Sequence, residues 1–170
     1  GDHRDLPSFP TRRSSDLPSF ELDSYSLENL ASFDAPFALA IKGRSQNMAL
    51  VTGGGIMLKP VLNKSAVYGY LRSQERKHPL IIAAPIHEKE EYRYILPQKS
   101  YTQENAVAKT LETPFGKASL LIERKTGSNI LHVVKEVEVK ATQINAEDYK
   151  DFIKFCMRLK DMESIALSIQ

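Results

Sequence analysis

A chain of 170 residues, 42% hydrophobic and 26% charged, has the make-up of one folded domain able to bury a core of its own. A formal net charge of +2 gives no electrostatic argument for nucleic acid or an anionic membrane, and a single cysteine excludes an internal disulfide and any multi-cysteine zinc site. No apolar run approaches the roughly 20 residues that a membrane-spanning helix needs.

Residues 1–17 read GDHRDLPSFPTRRSSDL. They resemble one reading frame of a common short-read sequencing adapter, GDHRDLHSFPTRRSSDL, with Pro7 as the one departure. Asp5-Leu6-Pro7-Ser8-Phe9 recurs as Asp16-Leu17-Pro18-Ser19-Phe20, a duplication of the kind a faulty join leaves. The resemblance implies a non-native, disordered segment over 1–17, a native start between Asp16 and Glu21, and a native protein that continues upstream. Leaving out Arg4, Arg12, Arg13, Asp2, Asp5 and Asp16 keeps the net charge at +2.

Residues 18–35 form a polar lead-in, and residues 36–170 are expected to make the folded domain. Pro36 to Ile41 alternates large and small apolar residues and predicts a strand, with Gly43-Arg44-Ser45 as a turn. Met48 to Val51 and Ile56 to Leu58 are two more short runs, broken by Gly53-Gly54-Gly55. The stretch from Pro60 to Arg72 fits either type of element. Pro79 and Pro85 bracket Leu80 to Ala84 as an edge strand, because proline cannot donate to a ladder. Tyr92 to Leu96 and a run starting at Ala106 read as strands. Ala118, Leu120 and Ile122 share one face, as do Leu131, Val133, Val137, Val139 and Ala141, with polar residues opposite. Lys125 to Asn129 then makes a hairpin, Gly127 supplying a positive φ.

Asn145 is expected to cap a helix over about 146–160, with Ile144 and Tyr149 as a hydrophobic staple. Tyr149, Phe152, Ile153, Cys156 and Leu159 form its apolar stripe. Ile165, Leu167 and Ile169 alternate as a last strand. Together these elements predict a mainly β chain: an antiparallel β-sandwich with one amphipathic C-terminal helix.

The chemistry-bearing residues do not assemble into a catalytic set. Cys156 lies well inside the helix, away from the helix N-terminus that would lower a thiol pKa, so it reads as a packing residue. His78, His87 and His132 lack the i, i+2 or i, i+4 spacing of metal ligands, and neither a metal nor a cofactor is expected. Gly53-Gly54-Gly55 lacks the Lys-Ser/Thr of a phosphate loop and reads as a hairpin or bulge. Glu88-Lys89-Glu90-Glu91 could pair carboxylates for glycosidic chemistry but is expected to be a solvated strand edge. Tyr70, Arg72, Arg76, Lys77 and His78, with Tyr68 beside them, form the one local basic-aromatic cluster. They are the candidate binding residues, for an acidic partner or a carbohydrate.

Four stretches carry a family resemblance: Arg76-Lys77-His78-Pro79-Leu80, Tyr92-Arg93-Tyr94-Ile95-Leu96-Pro97, Glu112-Thr113-Pro114-Phe115-Gly116, and Ile144-Asn145-Ala146-Glu147-Asp148-Tyr149-Lys150-Asp151-Phe152. In this order they resemble the C-terminal β-sandwich region of bacterial transglutaminase-like proteins, which join an N-terminal β domain, a papain-like core and this C-terminal part. The stretch Lys99-Ser100-Tyr101-Thr102-Gln103 departs from it, being polar where the family often carries apolar residues and a proline. The resemblance implies a non-catalytic accessory domain whose partner is the upstream transglutaminase-like core, because the Cys-His-Asp triad belongs to that core. It also implies a parent in the cell envelope or periplasm, since relatives often begin with secretion signals. Two other readings remain open: an autonomous, adhesin-like module that binds carbohydrate or protein, and a small independent hydrolase.

Overall fold

The computed structural model describes residues 20–30, 38–45, 49–98, 100, 102, 106–124 and 127–170. The adapter-like segment 1–17 lies outside them, as do Pro36, Phe37, Met48, Lys99, Tyr101, Gln103, Lys125 and Thr126. The chain divides into two compact units, one ending at Leu50 and one running from Val51 to Gln170. The strand that starts at Ala38 pairs with an earlier strand, so the first unit takes in part of the lead-in.

In the first unit, β1 (Phe20–Glu28) and β2 (Ala38–Ser45) form an antiparallel ribbon. The lead-in is thus partly a strand. Its alternation is hidden by a bulge between Leu22 and Ser24, which leaves Asp23 as the extra residue. Tyr25 faces Ile41 and Leu27 faces Leu39 across the ladder. Gly43-Arg44-Ser45 is not a turn but the end of β2, and the Arg44 guanidinium donates to Asp23 Oδ1 at 3.2 Å beside the bulge.

The strands β3 (Ala49–Thr52) and β4 (Gly55–Leu58) come next, joined by a tight turn through the glycines. Gly55 has φ of 133°, and a Cβ there would lie 2.3 Å from the Ile169 carbonyl oxygen, so both conformation and space require glycine. The strand β11 (Leu167–Ile169) pairs antiparallel with β4 in the order β11-β4-β3. A 3₁₀ turn spans Ala66–Tyr70, capped by the Ser65 hydroxyl, which accepts from the Val67 N–H. A two-residue strand, β5 (Leu80–Ile81), pairs with β10 (Gln143–Ile144).

The main sheet has four strands: β6 (Ile86–Ile95), β7 (Ala106–Thr113), β8 (Gly116–Arg124) and β9 (Ile130–Val139), in the order β6-β9-β8-β7. All its neighbours are antiparallel, and Gly127, at φ 79°, lies in the connection between β8 and β9. Its inner face buries Leu111, Ala118, Leu120, Ile122, Leu131, Val133, Val137 and Val139.

Across that face lies α1 (Tyr149–Glu163), packed on β7 and β8. It buries Tyr149, Phe152, Phe155, Cys156, Leu159 and Met162; Phe152 meets Phe115 edge-on at 5.6 Å. Phe155 takes the core position expected for Ile153. The helix begins at Tyr149, not 146, because Asn145 spends its side chain on the Asp148 carboxylate, its amide donating to Oδ2 at 3.3 Å. Asp148 is the N-cap and makes no side-chain cap bond, so Tyr149 is the first helical residue and cannot serve in the expected staple. At the other end α1 runs past 160, until the Ser164 hydroxyl and N–H both donate to the Lys160 carbonyl. The described residues are thus mainly β, in antiparallel sheets with a single C-terminal helix, and the second unit has a sandwich-like arrangement.

Candidate functional site

One charged residue sits in the middle of the apolar inner face. Lys135 shares the strand parity of Leu131, Val133, Val137 and Val139 and is 1% exposed. A buried ammonium is stable only when its donors are matched. Its Nζ lies 3.2 Å from Glu163 Oε1 and 3.3 Å from Glu90 Oε1, and donates to the Asn63 carbonyl at 2.8 Å. Glu163 falls four residues after Leu159, at the end of the buried helical stripe. Its Oε1 accepts from the Ser65 N–H at 3.1 Å and its Oε2 from the Tyr68 hydroxyl at 2.8 Å. Glu90 accepts from the Tyr92 hydroxyl, and Glu88 Oε1 accepts from the Ala66 N–H at 2.8 Å. These bonds tie the 3₁₀ turn to both the sheet and the helix.

The tyrosines in this region stay protonated donors. Burial, then the charge of Glu163, pushes Tyr68 well above the usual phenol range. Burial and the bond to Glu90 do the same for Tyr92, and burial raises Tyr94 to about 12 while its hydroxyl donates to the Pro60 carbonyl. Glu88-Lys89-Glu90-Glu91 is therefore not simply a solvated edge. It lies within β6, an outer strand, with Glu88 and Glu90 turned towards the cluster and Lys89 and Glu91 turned out.

Above the cluster is a cleft of about 420 Å³ between the 3₁₀ turn and α1. Tyr68, Leu71 and Arg72 form one wall, and Ile153, Met157 and Lys160 the other, with Cys156 between. Burial raises the Cys156 thiol from 9.0 to about 12, so at neutral pH it is a neutral packing group and not a thiolate.

Of the five candidate binding residues, Arg72 lines this cleft. Tyr70 ends the 3₁₀ turn, half-buried. Arg76 places its guanidinium 5.4 Å over the Tyr149 ring, and its Nε donates to the His78 carbonyl at 3.4 Å. Lys77 and His78 are exposed beyond it. Arg72 and Arg76 are thus separated, one facing the cleft and the other holding the loop onto α1. His87 lies 3.2 Å from Glu136, and His132 sits between Glu91 at 3.0 Å and Glu123 at 3.5 Å, on the sheet's outer face. Among the described residues no group of three or more His, Cys, Asp and Glu is placed to hold a metal ion.

Reading the sequence missed Lys135, Glu163 and the Met157–Lys160 wall, and it singled out Glu90 only as part of a stretch expected to be a solvated edge. The signal for the first was a lysine at an apolar position of a strictly alternating strand. For the second it was a glutamate at i+4 from the last stripe residue.

No curated protein matches the chain. A solved structure, of a candidate protease from Parabacteroides distasonis, matches 64% of this chain with a TM-score of 0.52 and 18% identity. At that identity the likeness is one of fold, and this chain spans only 22% of that longer one. The model of a family described as a domain of unknown function with a solved structure, DUF3858, matches residues 54–168. That range takes in the four-stranded sheet, the buried cluster, the cleft and α1, and the chain belongs to this family.

Proposed function

We propose that this chain is a non-catalytic accessory β domain of a longer, transglutaminase-like protein, packing on or positioning that protein's catalytic core. The observation that carries the reading is the fold match to a stretch amounting to 22% of a much longer candidate protease, which leaves most of that chain for other domains. The sequence resemblance to the C-terminal region of transglutaminase-like proteins points the same way. So does the state of Cys156, buried and raised to about 12, with no depressed pKa for nucleophilic attack. The test is the gene in a clean assembly. An in-frame Cys-His-Asp core upstream is the expected result, and a stop codon followed by an unrelated gene removes the proposal.

A further inference from the structure

We propose that the cleft between the 3₁₀ turn and α1 is a docking site for an extended peptide segment carrying apolar and acidic side chains. This goes beyond the accessory role, since the cleft is complete within residues 68–160 whatever protein lies upstream.

The first observation is a second apolar strip on α1. With one face committed to the core, the rest of the helix should be polar, and Lys150, Asp151, Lys154, Arg158 and Asp161 fit that rule. Ile153 and Met157 break it. They stand four apart, one above the other, outside the stripe of fully buried residues, and Met157 is 61% exposed. Leu71 faces them from the opposite wall. Methionine is the side chain best suited to repack around differing apolar partners.

The second observation is the charge. Arg72 and Lys160 are the charged residues lining the cleft, and no carboxylate lines it. Four surface lysines, two of them on α1, have an acid at hand: Lys117 and Lys140 lie 3.0 and 3.3 Å from Glu138, Lys150 lies 3.3 Å from Glu75, and Lys154 lies 2.7 Å from Asp151. Arg72 and Lys160 have no such partner among the described residues. Two unmatched cations flanking an apolar strip select an acidic occupant and reject a basic one.

Size and rigidity fit a peptide. From Ile153 to Lys160 is about 10 Å along a helix axis, the span of roughly three extended residues. A volume of about 420 Å³ accepts two or three side chains. The wall carrying Tyr68 is held by its 2.8 Å bond to Glu163, so little ordering is needed when the segment docks.

The test is titration of the ¹⁵N-labelled full chain with acetyl-Leu-Asp-Leu-Asp-Leu-Asp-amide, with the Leu-Lys hexapeptide as control. The expected result is amide shifts confined to Leu71–Gln74 and Ile153–Lys160, with no response to the control peptide. Arg72→Glu should weaken binding about tenfold or more, and Met157→Asp should do likewise, while leaving the remaining spectrum in place. Both positions are exposed, so the variants are expected to fold. Shifts elsewhere, an equal response to the lysine peptide, or unchanged affinity in Arg72→Glu would overturn the proposal. The same shifts produced by sodium acetate, or by raising the protein concentration alone, would also overturn it in favour of a small anion or a second copy.

Discussion

Lys135 joins β6, α1 and the loop before the 3₁₀ turn through one ammonium, and its removal should be felt in all three. Lys135→Met leaves Glu90 and Glu163 facing each other in a site from which water is largely excluded. The expected cost is about 3–5 kcal/mol, read by urea denaturation. Adding Glu90→Gln and Glu163→Gln should recover most of that loss, because the uncompensated charges go with it. A single variant as stable as the parent would show that the cluster is not holding the fold. At alkaline pH the neighbouring groups supply a second test. Cys156 is raised by burial from 9.0 to about 12, and Tyr68 and Tyr92 are raised from 10.0 by burial and by their glutamates. In each case the folded chain keeps a proton that the unfolded chain gives up. Their contribution is therefore fully present below about pH 9 and is lost as pH rises towards the folded values. Unfolding free energy should decline from pH 9 upward, and less steeply in Cys156→Ala; an unchanged slope would remove Cys156 from this account. Lys135 was hidden in the sequence because charge was read as a marker of the solvent face. The uninterrupted parity of β9 was the better guide.

Among the elements, close backbone approach sets the tightest constraint at Gly116, where β8 begins. A Cβ there would lie 2.1 Å from the Glu138 carbonyl oxygen and 2.9 Å from the Val139 Cα. Gly116→Ala should therefore cost about 2 kcal/mol or more. Gly53→Ala, with nothing within 4 Å, should cost far less. A thermal melt of both variants checks this, and equal midpoints would contradict it. The strands β8, β9 and β11 were legible because their alternation runs unbroken over buried faces. β1 was not, since the bulge at Asp23 shifts its period, nor was the first half of β6, whose inward residues are glutamates. The helix was legible as an amphipathic stripe but not at its start, where Asn145 bonds a side chain instead of capping the backbone.

At the scale of the whole molecule, every buried hydrophobic residue among those described lies between Leu58 and Ile169, so the core they form belongs to the unit that the family model covers. A chain beginning at Ala49 should therefore still unfold cooperatively by circular dichroism, and a broad, non-cooperative melt would contradict that. A two-stranded ribbon such as β1–β2 has little independent stability in water, which is a second reason to expect the folding unit to lie after it. Among the described residues no helix is long and apolar enough to cross a membrane. The order β6-β9-β8-β7 was not legible beforehand, because alternation assigns faces and not neighbours. The cleft was only half legible: Arg72 was singled out locally, whereas Ile153, Met157 and Lys160 reach it only through the packing of α1. The accessory role is tested most directly by incubating purified Pro18–Gln170 with amide and ester substrates. The account predicts no turnover above buffer alone; robust turnover abolished by one substitution, at Cys156 for instance, would contradict it.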